Sequence, residues 1–71
     1  MSKGRIKTRE DVVKKVAGIA KIAYDDERAH SAEDGLREDV LKAIAEGAEN
    51  PAELAAEALK TSEIAFARWC A

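Results

Sequence analysis

Glu27 and His30 stand three residues apart, and Asp34 follows four further on. On a helix these three would share one face. A Glu-x-x-His pair is the unit that di-iron carboxylate bundles take from each of two helices, with further glutamates from two others. This chain carries one such pair, so a metal centre would need two subunits meeting across a two-fold axis. The simpler reading is a solvated acidic turn whose histidine caps a helix C-terminus, and no metal or cofactor is expected. Nucleophilic chemistry would need Cys70 or a serine beside His30 with an orienting acid. Cys70 is the penultimate residue and sits next to Trp69, a poor place for a preorganised nucleophile. It reads as a small apolar side chain. Neither a glycine-rich phosphate loop nor zinc-ligand spacing occurs. A non-catalytic protein is expected.

The charge is divided by position. The first 24 residues hold seven Lys/Arg against two acids; the rest hold five against twelve, and the whole is −2. Lys3, Arg5, Lys7 and Arg9 make a basic start that could touch phosphates. Asp25, Asp26, Glu27, Glu33 and Asp34 make an acidic cluster that could meet a basic protein surface. The competing reading of that cluster is neutralisation against the basic first helix, within or between subunits.

Seventy-one residues allow one domain. Of its 33 apolar residues 15 are alanine, which adds little area to a core. A three-helix monomer would be thin, so a homodimer is expected to supply the missing burial. The single cysteine cannot form an internal disulfide, which fits a reducing cytoplasm. No apolar run is long enough to cross a membrane. Lys14, Lys15 and Lys21 interrupt Val12–Tyr24, which excludes the apolar core of a secretory signal.

The elements follow from caps and periodicity. Met1 to Lys7 reads as a mobile basic arm, and residues 8–71 as a single all-α domain of three helices plus a short C-terminal one. Thr8-Arg9-Glu10-Asp11 is a capping box opening a helix from about Arg9 to at least Tyr24. Val12, Val16, Ile19 and Ala23 form its apolar stripe, with Val13, Ala17, Ala20 and Tyr24 beside them. Gly18 is expected to mark a close crossing. Ser31-Ala32-Glu33-Asp34 resembles a second cap, which places the break near His30. The second helix would bury Leu36, Val40, Ala43 and Ile44, with Leu41 and Ala45 beside them. Arg37, Glu38, Lys42 and Glu46 would face solvent, and Gly47 would end it. Asn50-Pro51-Ala52-Glu53 opens a third helix to about Lys60 that would bury Leu54, Ala55, Ala58 and Leu59. Thr61 or Ser62 would cap a last helix holding Ile64, Phe66, Trp69 and Cys70. Phe66 and Trp69 would then anchor the core or a dimer contact.

Val40 to Leu59 also reads as a helix-turn-helix pair, which keeps DNA binding as the alternative function. Against it, the would-be recognition helix offers Glu53 and Glu57 and no Arg, Asn or Gln to read base edges. The runs Asp25–Asp34 and Val40–Gly47, with Ala58-Leu59-Lys60-Thr61 and the ending Arg68-Trp69-Cys70-Ala71, resemble a set of short bacterial and phage-type proteins. The likeness covers about residues 25 to 71. No activity attaches to that set, so it implies a bacterial or phage cytoplasmic setting and no residue roles. The expected function is a protein-interaction or regulatory module.

Overall fold

The computed structural model describes residues 6–66, and these hold three α-helices and one 3-10 turn. α1 spans Arg9–Lys21, α2 Asp26–Ala45 and α3 Pro51–Leu59, followed by the 3-10 turn Lys60–Glu63. The described residues contain no strand, so the expected all-α class holds.

α1 starts as its sequence dictates. Asp11 N–H donates to Thr8 Oγ1 at 3.3 Å, and Asp11 Oδ2 accepts from the N–H groups of Thr8 and Lys7 at 3.0 and 2.9 Å. The reciprocal box satisfies donors that the first turn would otherwise leave unpaired. Ile6, just before this cap, is buried beside the α2–α3 turn. Ile6 and Lys7 are therefore seated on the folded body; Lys3 and Arg5 lie outside the described residues.

The break between α1 and α2 comes earlier than the serine cap suggested. α1 ends at Lys21, and residues 22–25 form the turn. Asp25 is the cap of α2, its Oδ1 accepting from Arg28 N–H at 3.2 Å. Asp26 and Glu27 occupy the first turn, where the helix dipole favours acids. Ser31 and Gly35 lie inside α2. His30 lies in its second turn and does not cap a helix end. Tyr24 falls beyond α1 and is 81% exposed.

α2 ends where expected. Gly47 has φ 92°, its N–H donates to Ile44 O, and Ala48 N–H reaches back to Ala43 O, both at 3.0 Å. This pairing is the Schellman arrangement, and only glycine takes that backbone without strain. Pro51 holds the first position of α3, but Asn50 makes no side-chain cap bond. The expected last helix is absent over residues 64–66: Ile64 is extended after the 3-10 turn. Ile64 and Phe66 still pack against the core, whereas Trp69 and Cys70 lie outside the described residues.

The core joins Ile6 to Val12 and Ile19 of α1, to Ala29, Leu36, Val40 and Ala43 of α2, and to Leu54 and Ala58 of α3. All three helices pack on one another. Gly18 does not mark a tight crossing. A Cβ built on it, or on Gly35, meets nothing within 4 Å.

Candidate functional site

The acidic cluster does not form one surface. Asp25 is used as a cap. Glu33 points inward and is 1% exposed. Its Oε2 accepts from Arg37 Nη2 one turn later at 3.4 Å, with the glutamate side chain at 1% exposure and the arginine at 43%. A buried carboxylate of this kind must be paired to persist. Glu33 therefore leaves the set of partner-contacting acids, and Asp26, Glu27 and Asp34 remain on the surface.

His30 lies 3.6 Å from Asp34 through Nε2 and Oδ2, which is an ion pair whenever the imidazole is protonated. Glu27, His30 and Asp34 share a face of α2, as their spacing required. No group of three His, Cys, Asp or Glu among the described residues is arranged to hold a metal ion.

Arg37 was expected in solvent and instead joins α2 to the chain after α3. Its Nη2 donates to Ser62 Oγ at 3.3 Å and, at the long limit of 3.5 Å, to Thr61 Oγ1. Thr61 is fully buried, and its hydroxyl donates to Ala58 O at 3.1 Å. Nε of Arg37 is buried with no hydrogen-bond partner.

Arg9 is likewise committed within the fold. Its Nε–H donates to Glu57 Oε2 at 2.9 Å, and Lys60 Nζ donates to the same oxygen at 3.2 Å. Lys60 is the main cause that holds the Glu57 carboxyl below its ordinary range; partial burial opposes it and Arg9 adds to it. The Asp11 carboxyl is also held low, chiefly by the backbone N–H of Lys7 and then by that of Thr8. Arg9 thus ties α1 to α3 through Nε, with its side chain half exposed. Lys7 is exposed.

An apolar groove lies elsewhere. A groove of about 260 Å³ runs between α2 and α3, lined by Arg37, Val40, Leu41, Ile44, Ala55, Ala58 and Leu59. Six of those seven are apolar. Leu41 and Leu59 on its two sides are 66% and 62% exposed. Ala52 and Ala56 of α3 are exposed as well. Leu41 and Leu59 thus leave large apolar side chains open to solvent along one groove.

Sequence reasoning placed Leu59 in the core, but helical geometry forbids it. Leu54 and Leu59 are five residues apart, about 140° around the helix. Only one of them can face inward, and the packing chooses Leu54, which is fully buried. The same count was available from the sequence. Arg37 also had a signal, its four-residue spacing from Glu33.

The α2–α3 hairpin keeps the expected pairing, with Ala43 buried and Gly47 at the turn. Its second helix presents Ala52, Glu53, Ala56 and Leu59 to solvent, none of which reads a base edge by bidentate hydrogen bonding from a cation or amide. No helix among the described residues is long and apolar enough to cross a membrane. No protein-family model matches the chain, and neither a curated protein nor a solved structure matches it.

Proposed function

We propose that this protein is a non-catalytic interaction module that works by contact with other polypeptides, as a homodimer in a bacterial or phage cytoplasm. The observation that carries the reading is the apolar groove between α2 and α3, open to solvent and flanked by Leu41 and Leu59. An apolar surface of this kind gains free energy when another chain covers it. The exposed acids Asp26, Glu27 and Asp34 offer a second, charged contact along the N-terminal half of α2. A basic partner surface is the complement. The cytoplasmic setting rests on the lone Cys70 and on the resemblance to short bacterial and phage-type proteins.

Capture from a bacterial lysate tests the reading. Three baits are compared: the unaltered chain, Leu41→Glu/Leu59→Glu, and Asp26→Lys/Glu27→Lys/Asp34→Lys. The expected result is a protein retained by the first bait and lost by one of the others. Identical capture by all three would refute the reading. DNA binding is the weaker alternative, because Arg9 is engaged with Glu57 and α3 presents no base-reading side chain.

A further inference from the structure

We infer that the α2–α3 surface is the interface with a second copy of this chain, the two α3 helices packing antiparallel across a two-fold axis. The inference rests on the interaction-module reading and specifies which partner covers the groove. Its argument is the arrangement of charge and bulk on α3.

At about 100° per residue, Ala52, Ala55, Ala56 and Leu59 fall within one arc of roughly 100°. Ala52, Ala56 and Leu59 are exposed and Ala55 half-buried. No charged residue interrupts the arc. Glu53 and Lys60 both lie just outside it, and on the same edge. They stand at opposite ends of the helix, Glu53 in the first turn and Lys60 directly after Leu59. This pattern selects an orientation. When two copies of a helix pair in parallel, opposite edges of their faces meet. When they pair antiparallel, the same edge meets itself in reverse order. Antiparallel pairing therefore brings Glu53 of one copy toward Lys60 of the other, twice by symmetry, where the ammonium bridges it and Glu57 of its own chain. Parallel pairing brings neither residue to an opposite charge.

Bulk selects a register two residues, about 3 Å, from direct Glu53–Lys60 opposition, an offset the lysine stem spans. With the axis between Ala55 and Ala56, these alanines face each other and allow a close approach. Leu59 of each copy then lies over Ala52 of its partner, large against small. Leu41 and the groove it borders lie alongside, so the outer leucines cover apolar wall instead of water. One patch thus supplies both projection and recess, as an isologous interface must.

The test is the solution mass of the full chain by sedimentation or light scattering at several concentrations. The chain is 7.7 kDa, and a species of twice that mass is expected. Leu59→Glu should give a folded monomer, since this side chain is mostly exposed in the single chain. Glu53→Lys alone should weaken association by about two- to thirtyfold, because each dimer loses two exposed ion pairs. Glu53→Lys combined with Lys60→Glu should associate more tightly than either single variant, the Lys60→Glu single accounting for the lost intrachain pair with Glu57. Far-UV circular dichroism confirms that each variant is helical. A monomeric wild type, a Leu59→Glu protein that remains dimeric, or a double swap no tighter than Glu53→Lys would each overturn the inference. A monomer that still captures a groove-dependent partner from lysate would sink the self-pairing alone and leave the interaction module standing.

Discussion

Gly18→Ala and Gly35→Ala together give the most quantitative test of this packing. Both glycines lie inside helices, and both border the open cleft between α1 and α2 that is also lined by Ile19, Ile22, Ala32 and Leu36. A methyl group added at either finds no atom within 4 Å, so no steric cost offsets the gain in helix propensity. That gain is about 0.8–1.0 kcal/mol per site. The pair should therefore add about 2 kcal/mol. For a domain of this size each kcal/mol moves Tm by about 4–8 °C, so the double variant should melt about 8–16 °C higher. This is a large fraction of a total that, at about 0.05–0.15 kcal/mol per residue, lies between roughly 4 and 11 kcal/mol. The assay is thermal unfolding followed by circular dichroism at one fixed protein concentration, since self-association would make Tm concentration-dependent. Urea unfolding should show a raised midpoint with an unchanged slope. Gly47→Ala is the control of opposite sign. Its φ of 92° makes alanine unfavourable by about 1–2 kcal/mol. If the double variant melts at or below the wild-type temperature, α1 and α2 approach more closely than described, and the reasoning fails.

Further outcomes follow from the caps, the core and the carboxylates. Leu54→Ala should cost about 2–5 kcal/mol, because a fully buried side chain leaves a cavity; an unfolding free energy from urea titration lowered by less than about half a kcal/mol would contradict this. Asp25→Ala should cost about 1 kcal/mol, with most of the loss restored by Asp25→Ser, which keeps a capping oxygen. Acid should destabilise the fold in a definite direction. Asp11 and Glu57 are both held below their ordinary values of 3.8 and 4.5. Their contribution is thus complete above those values and disappears as pH falls through the lowered native ones. Urea midpoints measured from pH 7 to pH 3 should fall at the acid end, and Glu57→Gln should flatten part of that fall. An unchanged pH profile in Glu57→Gln would show that its pairing with Lys60 and Arg9 contributes nothing.

The parts of the fold that could be read in advance are those set by local chemistry. Thr8 with Asp11, Pro51 at the start of α3 and Gly47 after α2 each act within a few residues, and each behaves as its type requires. The α1–α2 boundary was missed because two capping patterns compete there. Asp25 precedes Arg28 by three, and Ser31 precedes Asp34 by three. Packing decides between them. The buried positions Ala29, Glu33, Leu36, Val40 and Ala43 run at spacings of four, three, four and three. This is an unbroken helical stripe through Ser31 and Gly35. A glutamate in the stripe hid the continuity, since an acid is ordinarily assigned to solvent. The partners that bury Glu33 and Glu57, namely Arg37, Arg9 and Lys60, include contacts 48 residues apart, which no local pattern reveals. The groove was hidden for a related reason: Leu41 and Leu59 look like core residues until helix rotation is counted.

The burial of Ile6 has an electrical consequence. It seats Lys7 by the α2–α3 turn, in a recess shared with Glu46, Gly47 and Glu49. Asp26 and Glu27 are at the far end of α2, whose 20 residues extend about 30 Å. Ions at physiological strength damp a field over about 8 Å. The charged groups at the two extremities therefore act on their surroundings independently, and a visitor drawn to one feels almost nothing of the other.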